Sequence, residues 1–302
     1  MTYIKNTSIA KNELGYDAWG KPKVVKDNSL FHGLFTYNVP NTVWQEYFNN
    51  SPLIAFSNAS SKDGKLHLES GSTSNDVTNL HTFRNPRYEP NRGHLYSISA
   101  FLPSPTALGN RRFGFFTAES GAFFELTSSE LYAVIRTTIN SVVTEDRYLI
   151  GTISNLLAKG IDLSKGQLYD IQMQWRGVGS YKFFINLEVV KEVDYVNTLT
   201  ELTTFNPANP LAFECTNLGD NVVIECGCVD VTSEGGKSNG KVYSSVGITT
   251  EQGESNFTGF NQPIIAVRNK KVFDGLINTR DALALIANFY ADEKCICRII
   301  LK

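Results

Sequence analysis

The sequence contains few charged residues and few residues that bind metals. Asp, Glu, Lys and Arg make up 19% of its 302 residues, and there are only five cysteines, four histidines and two methionines. Globular proteins usually carry about a quarter charged residues. The formal net charge of -2 argues against an extended basic surface for nucleic acid, because such surfaces are strongly cationic. We therefore expect no nucleic-acid partner.

Long apolar segments are also missing. No run approaches the roughly 20 residues that span a bilayer, so no membrane insertion is expected. The first eleven residues lack the apolar centre of a signal peptide, which predicts synthesis in a cytosol. The odd number of cysteines fits reduced thiols better than a disulfide framework.

Aromatic and alternating segments, by contrast, are plentiful. Hydrophobic residues reach 42% and aromatic residues 12%. Between Tyr169 and Arg176, apolar and polar side chains alternate without interruption, which is typical of an antiparallel strand with one buried face. Glycines follow at 177 and 179, and the apolar run 181–185 comes next. This arrangement predicts a β-hairpin.

Segments of the same kind recur between residues 51 and 232, separated by Gly, Asn, Ser and Pro. Short strands at this spacing predict a mainly β fold, an antiparallel β-sandwich of the jelly-roll or concanavalin-like kind. The predicted strands are Lys65–Glu69, His94–Phe101, Arg112–Phe116, Gly121–Leu126, Glu130–Thr137, Gln167–Arg176, Ser180–Asn186, Glu188–Val193, Leu211–Cys215 and Asn221–Asp230.

Composition divides the chain into four parts. Residues 1–50 read as an N-terminal arm, 51–232 as the sandwich, 233–240 as a Gly- and Ser-rich linker and 241–302 as a small α+β module. That module is expected to hold one helix, Arg280–Tyr290, between strands near 241–248, 263–268 and 295–301.

The arm carries aromatic residues that it cannot bury alone. Trp19, Phe31, Phe35 and Trp44 lie among polar residues, glycine and proline. These side chains pack either on the main body or on a neighbouring subunit. The sequence leaves both options open.

A loop rich in arginine runs from His81 to His94. It contains Arg84, Arg87, Tyr88 and Arg92 together with two prolines. Guanidinium groups make planar, bidentate contacts to carboxylates. The loop therefore forms a subunit contact, a contact to an acidic glycan, or contacts to carboxylates of its own subunit.

The cysteines offer two weak metal candidates, Cys226 with Cys228 and Cys295 with Cys297. Residues two apart on a strand face one side, so each pair could offer two thiolates to zinc. The spacing is shorter than usual for zinc sites, and all four histidines lie far upstream. Buried thiols are the favoured interpretation, and no cofactor is expected.

Motifs for catalysis are absent from the sequence. There is no E-x-D-x-x-E run of the glycosidase kind. The G-x-S-x-G spacing at 236–240 lies in the Gly- and Ser-rich linker, whereas a nucleophile elbow joins a strand to a helix. The strand carboxylates Glu125, Asp170 and Glu188 stand apart, and Asp170 is expected on a solvated face with Gln172 and Gln174. Residues 233–238 (SEGGKS) lack the first glycine and the following helix of a phosphate-binding loop. No enzymatic activity is expected.

Seven segments resemble a family of tailed-bacteriophage virion proteins, and together they are spread over nearly the whole chain. They are Ser29–Pro40, Arg84–His94, Gly121–Glu125, Tyr132–Thr138, Tyr169–Gly177, Asn206–Phe213 and Asn278–Leu285. The family contributes structural proteins of the particle and provides no catalytic residues to transfer.

The resemblance implies a non-enzymatic, multi-copy virion component of the tail apparatus, of a fibre or of the head surface. Its expected partners are copies of itself and other virion proteins, and its expected location is the virion, assembled in the bacterial cytoplasm. One alternative is an adhesin that binds host glycan, for which Tyr132, Phe184 and Asn186 could form a patch. A third hypothesis is a polysaccharide depolymerase.

Overall fold

The computed structural model describes residues 28–88, 92–195, 202, 204 and 206–234, together with the backbone of 272–273 and 276–277. The chain divides into two compact units, Met1–Val242 and Tyr243–Lys302. In the second unit, one short antiparallel pair is described, formed by residues 272–273 and 276–277. The predicted helix Arg280–Tyr290 and most of the predicted linker lie outside the described residues.

The first unit is built almost entirely from strands. In chain order they are β1 (Asn28–Leu34), β2 (Trp44–Phe48), β3 (Ser51–Pro52), β4 (Ala59–Lys62), β5 (Lys65–Glu69), β6 (Val77–Thr82), β7 (His94–Phe101), β8 (Gly109–Phe116), β9 (Gly121–Leu126), β10 (Glu130–Ile139), β11 (Val142–Thr152), β12 (Gln167–Met173), β13 (Tyr181–Ile185), β14 (Glu188–Val193), β15 (Leu211–Asn217) and β16 (Val223–Ser233). The second unit adds β17 (Val272–Phe273) and β18 (Leu276–Ile277).

These strands form two eight-stranded antiparallel sheets. Sheet I has the order β14-β13-β12-β7-β16-β5-β4, with β1 also paired to β16. Sheet II has the order β11-β10-β9-β8-β15-β6-β2-β3. The predicted mainly β fold and its antiparallel sandwich are therefore confirmed.

Aromatic side chains fill the space between the sheets. Tyr96 of sheet I stacks on Phe115 of sheet II with 4.0 Å between ring centroids. Phe124 of sheet II meets Tyr169 and Phe183 of sheet I at 5.1 and 5.3 Å. All five rings are fully buried, and each contributes about 1.5–3 kcal/mol to the free energy of folding. The two sheets are thus held together by one continuous apolar core.

The predicted hairpin is confirmed, since Tyr169 pairs with Ile185 and Met173 with Tyr181. Strands β5, β7, β9 and β14 have the predicted bounds. The sequence missed β4, β6 and β11 because these strands are rich in Ser, Thr and acidic residues and show no long apolar alternation.

The described part of the predicted arm differs from the expectation. Within residues 28–50, β1 pairs with β16 in sheet I and β2 pairs with β6 in sheet II. Phe35 and Trp44 are buried in the core, where Trp44 contacts the rings of Phe31, Phe35 and Phe213. These aromatic side chains therefore pack on the body of their own subunit.

A buried carboxylate links the two sheets near this point. Glu46 of β2 accepts hydrogen bonds from the backbone N–H groups of Ser57, Asn58 and Ala59 at 2.9–3.1 Å. The Ser57 hydroxyl donates a fourth at 3.1 Å. Because Ala59 begins β4, this contact joins an edge of sheet II to an edge of sheet I.

One helix is described, α1 (Ile153–Ala158), directly after β11. The Thr152 side chain caps it by accepting from the N–H of Asn155. Among the described residues, no helix has the length and apolar character needed to cross a membrane.

Candidate binding surfaces

The outer face of sheet II carries a row of polar and aromatic side chains at one register, here called the charged row. It contains one residue from each of six neighbouring strands. Direct pairing places Tyr47 beside Asn79, Asn79 beside Glu214, Glu214 beside Arg112, Arg112 beside Glu125 and Glu125 beside Tyr132. Opposed residues on antiparallel strands lie about 5 Å apart, so the row is continuous.

Ion pairs hold the centre of the charged row. Arg112 donates from Nε to Glu125 Oε1 at 2.8 Å and from Nη1 to Glu214 Oε1 at 2.9 Å. Arg147 of β11 pairs with the other oxygen of Glu125, and Asn79 Nδ2 donates to Glu214 at 3.3 Å. Burial by itself lowers the pKa of Arg112, but the carboxylates of Glu214 and Glu125 outweigh it and leave that pKa raised.

Aromatic groups flank these charges at both ends. Tyr47 packs on the His81 ring with 4.7 Å between centroids. Burial lowers the pKa of His81, which favours the neutral imidazole. At the other end the Arg147 guanidinium lies 4.8 Å from the centre of the Tyr132 ring. Both tyrosines keep part of their surface exposed.

The charged row offers groups that suit ligand recognition. Glycoside hydrolysis needs one carboxyl that carries a proton and one that attacks or activates water. Here both carboxylates are bound by guanidinium groups, Glu125 by Arg112 and Arg147 and Glu214 by Arg112. The row instead offers two ring faces, an amide, carboxylate oxygens and guanidinium N–H groups, which suit a polar, neutral ligand.

Sequence reasoning identified Glu125 but missed its partners. Glu214 and Arg112 fall inside predicted strands, at positions whose side chains alternate away from the core. Their contact depends on the pairing of β8 with β15, which are about a hundred residues apart in the chain. Alternation predicts the face of each strand and leaves the neighbouring strand open.

The arginine-rich loop is anchored by its tyrosine. Tyr88 packs edge-on against Trp175 at 5.6 Å and contacts the His94 ring at 5.3 Å. Its hydroxyl accepts from the N–H of Arg176 at 3.3 Å. Tyr88 is therefore an intramolecular anchor for the loop, although part of its surface remains exposed.

The arginines of this loop differ in their surroundings. Arg84 and Arg87 are exposed and Arg92 is partly exposed, while Arg84 and Arg92 have further interactions. Arg87 forms no ion pair within the described parts of the chain. Of the predicted contact residues, Arg87 is thus the exposed one whose charge is left for a partner.

The remaining predicted interface residues do not reach the surface in the same way. Phe35 and Trp44 are fully buried, and Phe31 packs against the core from its edge. Their proposed role as contacts to another subunit is therefore wrong for Phe35 and Trp44, since the core already covers them. Trp19 lies outside the described residues.

The polar face of β12 was wrongly expected to be solvated. Asp170, Gln172 and Gln174 are all buried. Glu234, at the end of β16, accepts from the side-chain amides of Gln172 and Gln174 at 3.3 and 3.4 Å. Alternation correctly predicted the face of these side chains, but the hydrogen bonds of the two glutamines to Glu234 allow that face to be buried.

The zinc hypothesis fails for the first cysteine pair. Cys226 is buried, whereas Cys228 is exposed. The register between β16 and β7 shifts between Cys226 and Val229, and such a bulge breaks the alternation that would keep both thiols on one side. Within the described residues no cluster of three metal-binding side chains occurs. Cys295 and Cys297 lie outside those residues.

Burial also keeps two of the described thiols protonated. Burial, the largest effect, raises the pKa of Cys215 to about 12 despite the nearby Arg111. It likewise raises the pKa of Cys226. Both groups are neutral core thiols, as the sequence predicted for the cysteines in general.

The patch suggested for a host glycan is not assembled. Tyr132 lies on the outer face of sheet II, whereas Phe184 belongs to sheet I and is fully buried. Asn186 is exposed in the turn after β13 and donates to Gln167 Oε1 at 2.6 Å. Only Tyr132 of these three belongs to the charged row.

Comparison with known proteins identifies no family. No family model and no curated protein matches the chain. A structure of botulinum neurotoxin type C, whose cell entry depends on two ganglioside molecules, is 13% identical at a TM-score of 0.39, covering 56% of this chain and 39% of that one. A glycosyl hydrolase family protein from Mycobacterium fortuitum is 12% identical at a TM-score of 0.48, covering 68% and 99%.

A third similar structure is a beta-1,3-glucanase from Mycobacterium marinum, 12% identical at a TM-score of 0.47, covering 68% of this chain and 98% of that one. This chain spans about two fifths of the length of the botulinum structure it matches. Likenesses this distant have no bearing on function, so any activity must be argued from the chain's own residues.

Proposed function

We propose that the chain is a non-enzymatic structural subunit of a tailed-bacteriophage virion, present in several copies in the tail apparatus, in a fibre or on the head. The resemblance of seven segments to virion proteins motivates the proposal. Its partners are then copies of the chain and other virion proteins.

The observation that carries the proposal is the convergence of three resembling segments at one place. Asn85, in the segment Arg84–His94, donates from Nδ2 to the carbonyl of Ala208, in the segment Asn206–Phe213, at 2.5 Å. Tyr88 packs on Trp175 of a third segment. Trp175 in turn donates from Nε1 to the carbonyl of Thr204 at 3.0 Å, just before the segment that contains Ala208.

This convergence, here called the Tyr88 cluster, supports a contact surface. A loop held by a ring contact and by side-chain hydrogen bonds presents its exposed groups in a fixed position, which lowers the entropic cost of binding. Arg87 is exposed beside this anchor. A guanidinium group so placed favours a partner surface that carries carboxylates.

The charged row supports the non-enzymatic part of the proposal. Its two carboxylates, Glu125 and Glu214, share the guanidinium of Arg112. Both are held in ion pairs, Glu125 with Arg112 and Arg147 and Glu214 with Arg112, so neither is free to move onto a substrate. A passive building block is consistent with this arrangement.

Charge reversal at Arg87 tests the proposal in particles. A phage lacking its own copy of the gene is complemented with the full chain, with Arg87→Glu or with the control Lys62→Glu, which is also exposed. We expect the wild type and the control to enter gradient-purified particles and Arg87→Glu to be depleted several-fold. Absence of the wild-type chain from particles would refute the proposal.

Glycan binding is a second candidate, favoured by the charged row and its two flanking tyrosines. A sugar ring would stack on Tyr132 or Tyr47 and exchange hydrogen bonds with Asn79 and Glu214. The test is a glycan array probed with the full chain, Tyr132→Ala and the exposed control Tyr37→Ala. Binding lost only in Tyr132→Ala would support this candidate; a blank array for the wild type would remove it.

Depolymerase activity remains the third hypothesis, and one variant decides it. If Glu125 acted as a catalytic carboxyl, Glu125→Gln would abolish polysaccharide cleavage by the purified chain. Because Glu125 is bound by Arg112 and Arg147, we expect no cleavage by the wild type either. Cleavage that depends on Glu125 would contradict the non-enzymatic proposal.

A further inference from the structure

Strand β11 leaves one side of sheet II open. It pairs with β10 from Ile139 opposite Val142 to Glu130 opposite Thr152, with one register shift, between Leu149 and Gly151. Within the described residues no strand pairs with its other side. Both central residues of the connecting turn, Asn140 and Ser141, have positive φ values of 50° and 65°, as in the tight hairpin turns that fix register. The open edge is therefore regular between Val142 and Leu149.

The other edge strands carry features that discourage pairing. Strand β1 pairs only with β16 among the described strands, and its register is shifted between Ser29 and Phe31. Strand β3 has two residues, of which one is Pro52. Strand β4 has four residues and ends on Lys62. Strand β14 contains Lys191 and two glutamates, and its register to β13 is shifted. Short length, proline, lysine and bulges are the usual protections of sheet edges.

Strand β11 has less of this protection, because its one register shift, opposite Leu131 and Tyr132, lies beyond Leu149. Its charged residues, Glu145, Asp146 and Arg147, include both signs. It has eleven residues and contains neither proline nor lysine. Val142, Val143 and Leu149 are 61%, 46% and 53% exposed. A long edge with exposed apolar side chains is a template for strand addition.

The sequence of β11 is complementary to itself when reversed about Asp146. A twofold axis normal to the sheet keeps the outer faces of the two copies on the same side, so only residues of the same face pair. One residue must then lie opposite its own copy, with the axis midway between them. Centred on Asp146, the outer face places Glu145 opposite Arg147 and Val143 opposite Leu149 of the second copy. Each pairing occurs twice, giving two charge pairs and two apolar pairs. Within each copy Glu145 already binds Arg136 and Arg147 already binds Glu125, so the charge pairs across the axis extend these contacts.

Other centres lose this match. An axis through Glu145 would place Val143 opposite Arg147, and an axis through Arg147 would place Glu145 opposite Leu149. Both put an apolar side chain against a charge. Opposite charges and apolar pairs directly across antiparallel strands each contribute about 0.2–1 kcal/mol, so the centre at Asp146 is favoured.

We propose that two copies of this chain join antiparallel through β11, centred on Asp146, so that sheet II continues from one copy into the next. The second copy is the occupant because the edge matches its own reverse in both charge and apolar pattern. The inference goes beyond the proposed function, since it concerns the isolated chain and holds whether or not the chain enters a particle.

One contact of this interface is unfavourable and provides a sharp test. Asp146 of each copy faces Asp146 of the other across the axis, and like charges directly opposite destabilise strand pairs. Asp146 Oδ2 accepts from the Tyr195 hydroxyl at 2.9 Å, and asparagine retains an acceptor for that bond. Asp146→Asn is therefore expected to tighten the dimer by several-fold, whereas a different interface would not respond.

Light scattering after size-exclusion chromatography measures the association. Over a series of concentrations the full chain should approach twice its 33.6 kDa mass. Leu149→Lys should weaken the dimer at least about tenfold, which corresponds to 1.4 kcal/mol. Leu108→Lys is the matched control, because Leu108 has the same 53% exposure and lies outside β11. A monomer at every concentration would overturn the proposal.

Crosslinking tests the register without relying on variants that weaken the dimer. Asp146→Cys is made in a Cys228→Ser background, because Cys228 is an exposed thiol. Mild oxidation should give a dimer in which mass spectrometry finds the 146–146 disulfide, since residues paired on the axis lie within disulfide reach. A dimer that neither forms this link nor responds to Leu149→Lys would show another interface and overturn the proposal.

Discussion

Glu125 and Arg112 lie directly opposite each other on β9 and β8, and the Nε–Oε1 distance between them is 2.8 Å. Glu125 is fully buried, whereas Arg112 retains some solvent contact. The pair thus places a buried carboxylate on the outer face of sheet II, next to the buried apolar cluster of Phe116, Phe123, Val134 and Ala212. Its partners, Arg112 and Arg147, come from the strands on either side of the β9–β10 pair.

Removal of the Glu125 charge is expected to destabilise the protein. In Glu125→Gln the two guanidinium groups lose their shared carboxylate, and breaking a buried ion pair typically costs about 3–5 kcal/mol. Urea unfolding of the full chain measures the free energy of unfolding. Lys165→Gln is the control, since the Lys165 side chain is 77% exposed in its pair with Asp162 and its loss should change stability by less than about 1 kcal/mol. Equal effects of both variants would contradict the buried network.

The segment 28–50 is expected to be essential for folding. Trp44→Ala empties a fully buried site between Phe35 and Phe213, and such truncations cost about 3–5 kcal/mol. Tyr37→Ala, in the same segment but 94% exposed, should change the unfolding free energy by less than about 0.5 kcal/mol. If the segment packed only on a neighbouring subunit, dilution would separate the subunits. The unfolding free energies of the two variants would then be equal.

The stability of the protein should fall in acid through His94. Burial, followed by the charge of Arg92, lowers the pKa of His94 from 6.5 to about 4. The unfolded state thus binds a proton before the folded state does, so stability is complete above pH 6.5 and is lost as the pH falls towards 4. The loss is about 3 kcal/mol.

His94→Gln provides the comparison for this titration. Unfolding free energies measured between pH 4 and 7 should fall less steeply for the variant, because its residue 94 does not titrate. Other groups, including His81, contribute equally to both proteins and cancel in the difference. A parallel pH dependence of the two proteins would show that His94 is not held neutral by burial.

Thiol reactivity should separate the three described cysteines. Cys228 is exposed, whereas Cys215 and Cys226 are buried with raised pKa values, and only thiolates react readily with iodoacetamide. Peptide mapping of the native protein should show rapid labelling at Cys228. Labelling at Cys215 and Cys226 should require denaturant. Rapid labelling of Cys226 in the native state would contradict the bulge in β16.

The fold could be predicted where alternation is long and apolar, as in β7 and β12. Strand β2 escaped prediction because Glu46 stands where an apolar side chain would be expected, and only the N–H groups of Ser57, Asn58 and Ala59 make its burial possible. Those partners come from a loop that sequence alone does not place. Propensity describes local preference, and such contacts are tertiary.

The candidate surfaces were harder to predict from the sequence than the fold. The aromatic and arginine content of residues 81–94 indicated a special loop, and Tyr88 does anchor it. The charged row could not be foreseen, because it needs the order of six strands in addition to the face of each residue. The free edge of β11 depends on the same order.

The copy number of the chain in purified particles tests the central proposal most directly. Quantitative mass spectrometry of gradient-purified virions, with isotope-labelled peptides from the described strands as standards, measures it. The proposal predicts several copies in each particle, at a ratio that stays constant between preparations. Absence from the particles, or less than one copy per particle, would contradict it.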